Sequence, residues 1–292
     1  MPRSRPVVAA LWMTGAVASF SLMAIGGREA ATDLDTFELM FCRSIIAVVV
    51  LVPFGLATGR MGQVRTRRFN LHLARNLAHF LAQNLWFYAV ALIPLAQLFA
   101  IEFTTPIWIA LLAPLFLGEA QTLWRVLAAA LGFAGILVIA QPGIAPLNVG
   151  HLTAVLAPLG FCASIMITKA LSRTETTFSI LFWLGVTQAV YGAVVVFWDG
   201  TMTMPDAGNI HWVLLVGIGG LTAHICLTTA LTVAPASVVA PMDFARLPII
   251  AVVGWLAYSE PLEVAVAVGA ALILIANTIN LRAEQNRNRG PG

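Results

Sequence analysis

Apolar positions in this chain do not alternate with polar ones. They come in long blocks separated by short polar breaks. Ten blocks, at 7–27, 36–57, 69–92, 94–117, 122–141, 148–170, 177–198, 209–233, 236–258 and 261–281, approach or exceed the roughly 20 residues a helix needs to cross a bilayer. In lipid every backbone N–H and C=O must be satisfied within the segment, so such blocks are helices; barrel strands would be half as long and alternating. The pattern predicts an all-α polytopic membrane protein of ten transmembrane helices. The breaks leave no room for a soluble domain, and residues 282–292 form a short polar tail.

Composition agrees. The chain is 60% hydrophobic and 10% charged, with mean hydropathy +0.89, against about 25% charged residues in a soluble domain. The net charge of +3 does not point to nucleic acid, because the basic residues are placed for membrane orientation. Arg3, Arg5, Arg60, Arg65, Arg67, Arg68, Arg125, Lys169, Arg173, Arg282, Arg287 and Arg289 fall on one side of the ten blocks. The other side carries Arg28 alone, among Glu29, Asp33, Asp35, Glu38, Asp199 and Asp206. The positive-inside rule then puts both termini in the cytoplasm of a cell with this protein in its inner membrane. Cys42, Cys162 and Cys226 lie inside apolar blocks with no CxxC or Cys/His spacing, so they read as small buried residues rather than a disulfide or metal site.

The chain also repeats itself. Pro94, Glu102, Phe103 and Glu119 recur 141 residues later as Pro235, Asp243, Phe244 and Glu260. The same ungapped register pairs Phe20 with Phe161, Phe37 with Phe178 and Ala129-Ala130-Leu131 with Ala270-Ala271-Leu272. Helices one to five thus correspond to helices six to ten, dividing the chain into repeats at 1–141 and 148–281. Five is odd, so the second repeat enters from the opposite face. Inverted repeats place a site near the midplane, and rocking of the halves opens it to either side.

The stretch Pro94 to Gly118-Glu119, followed by the Gly/Ala-rich Leu127–Gly135, together with ten helices in two halves, resembles the EamA family of the drug/metabolite transporter superfamily. The second half departs slightly, with Ser259 in place of Gly118 and Pro261 after Glu260. The resemblance implies a helical bundle around a central cavity that moves small metabolites, often outward, without an ATPase.

Ionisable groups at membrane depth cost several kcal/mol unless paired or facing water, so they suggest function. Arg43, Arg75, Glu102, Asp243 and Arg246 are such groups. At 1.5 Å per residue Arg43 and Glu102 reach similar depths, so they are expected to pair. Asp243 and Arg246, spaced i and i+3, are expected to pair along one face. Three arginines against two acids leave one guanidinium over. Arg75 has no evident partner, and either receives an anionic group of the cargo or snorkels to headgroups. Arg75, His79, Gln83 and Trp86 share one face of the third helix and are expected to line the cavity. Trp86, Trp108 and Trp183 are candidate stacking surfaces, with Gln97, Gln188, His224 and Asn277 as secondary positions. Glu119 and Glu260 precede new helices, where a carboxylate complements the N-terminal dipole.

No phosphate loop, HExxH, GxSxG or Cys/His cluster occurs, so no enzyme, cofactor or metal site is expected. The surplus arginine favours a small carboxylate-bearing or zwitterionic cargo, amino-acid-like or an organic anion. A flat aromatic such as a flavin or nucleobase is the alternative. A membrane scaffold or sensor, which needs no cavity, is the alternative outside transport. Expected partners are the cargo and the lipid bilayer. The oligomeric state is open, a monomer included.

Overall fold

The computed structural model describes residues 6–117, 123–141, 147–172, 174–198, 202–233 and 242–289. Among these, every regular element is helical: α1 (Pro6–Ala30), α2 (Thr36–Ala57), a 3₁₀ turn (Arg60–Val64), α3 (Phe69–Leu92), α4 (Leu95–Glu102), α5 (Thr105–Leu117), α6 (Leu123–Ala140), α7 (Val149–Leu171), α8 (Thr177–Val196), α9 (Ile210–Val233), α10 (Arg246–Tyr258) and α11 (Val264–Arg289). Gly118, Glu119, Pro235 and Pro241 lie outside the described residues.

Helix starts follow local chemistry. Asp35 accepts from the Phe37 and Glu38 backbone N–H groups while the Glu38 carboxylate accepts from the Asp35 N–H, a capping box that opens α2. Asn148 and Thr176 cap α7 and α8 in the same spirit. Val7–Ala30, Thr36–Ala57, Val149–Thr168, Thr177–Val196 and Ile210–Ala230 are long and apolar enough to cross a membrane. α3 is as long as these, but Asn70, His72, Arg75, Asn76, His79, Gln83 and Asn84 dilute its hydropathy. Large apolar side chains such as Val49, Leu56, Leu137 and Ile218 remain exposed on the outer surface of the bundle, as lipid-facing positions do.

Two expectations change. The fourth block is not one helix: it breaks at Phe103–Thr104 into α4 and α5. Pro106 has no N–H to give the Glu102 carbonyl; the Thr105 hydroxyl donates to that carbonyl instead, at 2.8 Å. The Phe103 carbonyl is bonded by Asn277 Nδ2 at 2.7 Å. A matching turn, Phe244–Ala245, precedes α10. The polar tail, in turn, does not leave the last helix. α11 continues to Arg289, through Arg, Ala, Glu and Gln residues that are good helix formers.

Packing is by helix pairs. α1 lies against α9, α3 against α7, α2 against α8, α6 against α11, and α4 against α10. In the α6–α11 pair Gly135 and Gly269 meet backbone to backbone: a Cβ on either would sit under 3 Å from the other's carbonyl. A core of Phe87, Phe99, Ile93, Leu98 and Ile101 packs around α4 and holds the broken helix at the centre.

Candidate functional site

The ten expected site residues separate into two clusters and two outliers. The first cluster lies at the paired helix breaks. Asp243 ends one turn before α10, and Arg246 begins α10. Arg246 Nη2 donates to Asp243 Oδ2 at 2.5 Å and to Glu102 Oε1 at 3.4 Å. Glu102 Oε2 accepts from the Trp86 indole N–H at 2.9 Å. The guanidinium is caged by aromatic rings, with Phe20, Phe99 and Phe103 centroids 4.7, 5.5 and 5.3 Å from its central carbon. Phe103 and Phe244 meet edge to face at 5.1 Å beside it. Two acids therefore share one arginine. The Asp243–Arg246 pair forms as expected. The expected Arg43–Glu102 pair does not, because Glu102 is committed to Arg246 and Trp86.

The second cluster is a polar chamber between α2, α3, α8 and α9. Arg43 Nη1 donates to Gln83 Oε1 at 2.7 Å, and Gln188 Nε2 donates to the same oxygen at 3.3 Å. Arg43 Nε is buried without a hydrogen-bond partner, as is His79 Nε2. The His79 ring contacts His224 and Phe161 at 6.0 and 5.6 Å, and His224 contacts Phe20 at 5.6 Å. Arg43, Ser44, Gln188 and His224 line a cavity of about 30 Å³, room for one water. Gly220 makes space for Arg43: a Cβ there would lie 2.8 Å from Nη2.

Arg75 sits one turn along α3 from His79. Its Nε donates to Thr168 Oγ1 and its Nη1 to Asn76 Oδ1, both at 2.9 Å. Asn76 in turn donates to Thr187 Oγ1 and to the Trp183 carbonyl. Arg75 is only 6% exposed, so it does not snorkel. Among the described residues neither Arg43 nor Arg75 has an ion pair. Two guanidiniums without acids thus flank a histidine pair.

The tryptophans are not brought into the chamber as stacking faces. Trp86 is buried against Phe87 and Phe99 and spends its N–H on Glu102. Trp108 packs against Phe133. Trp183 donates to the Val64 carbonyl of the 3₁₀ turn and meets Phe69 and Phe182 edge to face. The rings at the chamber are Phe20 and Phe161 instead. The 141-residue register pairs them, and each sets its edge or face against one histidine. That pairing was the available signal for them. Thr168 and Thr187 offered none, since isolated hydroxyl groups are common in apolar helices.

Glu260 also departs from expectation. Rather than complementing α11, it pairs with Arg28 and accepts from the Leu95 N–H at 2.9 Å, so its charge lies at the N-terminus of α4.

The EamA-like transporter family matches residues 7–141 and again 148–282. The chain is 32% identical to a riboflavin transporter of Rhizobium johnstonii, over 99% of this chain and 95% of that one. It is 27% identical to a riboflavin transporter of Vibrio cholerae, covering 98% and 97%. It is 25% identical to an S-adenosylmethionine uptake transporter of Rickettsia bellii, covering 94% and 93%. A solved structure described as "Crystal structure of protein" shares the fold with a TM-score of 0.63 and 20% identity, over 97% of this chain and 99% of that one.

Proposed function

Because the chain belongs to the EamA-like transporter family, we propose that this multi-pass membrane protein is a secondary transporter of the bacterial inner membrane, with both termini cytoplasmic. It carries a small carboxylate-bearing or zwitterionic metabolite by alternating access, as an exporter or facilitator. The observation that carries the cargo reading is the pair of acid-free guanidiniums, Arg43 and Arg75, buried beside His79 and His224. Arginine stays charged when buried. A cargo carboxylate accepts from such a fork bidentately and supplies the missing negative charge.

The mechanism rests on ten spans in two inverted repeats, 1–141 and 148–281. Several observations support it. The helix pairs are those an internal two-fold requires: α1–α9 maps onto α7–α3, while α2–α8 and α6–α11 map onto themselves. The Phe103–Phe244 contact joins register mates. The fourth and ninth blocks both turn directly after their acids, Glu102 and Asp243, and broken helices at a repeat interface are where transporter sites form. A cavity of about 30 Å³ is far below the roughly 300 Å³ or more that a small-molecule pocket needs, as expected of a closed state that must open to load.

A second cargo reading, a flat flavin-like ring, is favoured by the relatives named riboflavin transporters. Its carbonyl oxygens would meet the same donors, with Phe20 and Phe161 as its apolar walls. Flux into proteoliposomes separates the readings. Saturable uptake of amino acids or organic anions, with none of riboflavin, fits the first; the reverse outcome selects the second. No saturable flux of either class overturns the transport reading. A milder probe is Gly220→Ala, which presses on Arg43 without removing it. It is expected to raise the apparent KM about 5- to 10-fold by weakening one charge-assisted bond, with thermal stability near that of the parent.

A further inference from the structure

We propose that Arg28 and Glu260 form the latch that closes the extracytoplasmic side of the cargo chamber. This rests on the two-state transport reading and orientation given above. Among the described residues the ion pairs are two on Arg246 and one at the far end of the bundle, Arg28–Glu260. That pair joins the first half of the chain to the second. Arg28 lies in the last turn of α1, and Glu260 follows α10.

The pair is the centre of a denser junction. Arg28 Nε donates to the Val90 carbonyl at 2.7 Å and Nη2 donates to the Ile93 carbonyl, both at the end of α3. Glu260 accepts from Leu95, the first residue of α4. Beside them the Tyr258 hydroxyl donates to Glu29 at 2.8 Å, and the Arg28 guanidinium lies 5.0 Å from the Tyr258 ring centroid. Three separate segments are thus tied at one point: the end of α1, the α3–α4 corner and the α10–α11 turn. The two charged side chains are 15% and 12% exposed.

Local backbone chemistry aims Glu260 at this point. Ser259 adopts a left-handed φ of 54°, and the Glu260 N–H returns to the Gly254 carbonyl at 3.1 Å. The chain folds back over α10, and Gly254 leaves room: a Cβ there would lie 2.3 Å from Glu260 Oε2.

Opening that face must part α1 from the α10–α11 turn. All the partners are groups that water can satisfy once the junction wets: two carbonyls, one N–H, one carboxylate and one guanidinium. The junction is therefore stable dry and closed, or wet and open, with poorly satisfied states between. That is the energy profile of a latch. The sequence holds the same two charges 141 residues away, Lys169 for Arg28 and Glu119 for Glu260. Duplication suits a device needed once for each membrane face.

The test reads chamber access from outside the cell. In a background of Cys42→Ala, Cys162→Ala and Cys226→Ala, Gln83→Cys reports on the chamber, and a membrane-impermeant maleimide is added to intact cells. Arg28→Gln or Glu260→Gln is expected to raise the labelling rate at least about 10-fold, the scale of one buried charged partner lost. Gly254→Ala keeps every charge and favours the helix, so it folds where the charge variants fail. By displacing the Glu260 carboxylate it is expected to raise the rate about 3-fold. Unchanged labelling in all three variants overturns the latch. So does labelling that rises equally from the cytoplasmic face in inside-out vesicles, since general loosening would do that. Labelling needs no cargo, so failure of the latch and failure of the transport reading are separate results.

Discussion

Arg246→Met is expected to be the most destabilising single substitution in the protein, by about 3–5 kcal/mol in a reversible unfolding measurement in detergent. Arg246 is the cation that both Glu102 and Asp243 use. Those side chains are 17% and 22% exposed, too dry for water to replace the guanidinium. Methionine would fill the space between Phe20, Phe99 and Phe103 but leave two carboxylates facing each other without a cation. The lost cation–π contacts add to the loss, each worth up to about 2 kcal/mol when desolvated.

The companion experiment removes the acids with the base. Adding Glu102→Gln and Asp243→Asn to Arg246→Met is expected to recover most of the lost stability, because neutral groups of similar size tolerate burial once the charge is gone. Transport is expected to stay lost in the triple variant if this cluster participates in the cycle, and to return if the cluster only holds the broken helices together. A stability change within about 0.5 kcal/mol for Arg246→Met alone, the range of an inert surface site, would show that the acids find partners elsewhere.

The block pattern made the helical type of the elements legible, since apolar length is written directly in the sequence. The break after Glu102 was half legible. Pro106 announced a missing N–H, but a proline can also bend a membrane helix without ending it, and only Asn277 and Thr105 closing on the freed carbonyls made a true turn cheap. Pairing between distant helices was not legible. Depth along the membrane matched Arg43 to Glu102, yet depth is one coordinate, and the rotation of α2 sends Arg43 toward Gln83 while the paired breaks bring Glu102 to Arg246. Two acids in register implied a shared centre. The single cation they share has Thr105 at its register position in the first repeat, so symmetry gave no hint of the sharing. Glu260 was misread for the same reason. Its sequence neighbour is α11, but Ser259 turns it back onto α4.

Arg43→Gln and Arg75→Gln are expected to act with the opposite sign on stability and with a large effect on transport. Among the described residues neither arginine has an acid to strand. A glutamine at 43 still faces the Gln83 amide, and one at 75 still faces Thr168 and Asn76. What is removed is a buried positive charge next to another positive charge. Unfolding midpoints should therefore hold or rise, whereas a structural arginine would lower them as Arg246 does. Loss of one charge-assisted, bidentate contact to the cargo should lower kcat/KM for an anionic substrate by about 10- to 100-fold, and both substitutions together by more. Arg43→Lys keeps the charge but not the planar fork, so a carboxylate cargo should be partly retained, whereas a carbonyl-bearing flat ring held by the fork should not. Undiminished flux in the double variant would remove these two residues from the binding site and place the cargo at the Arg246 cluster instead.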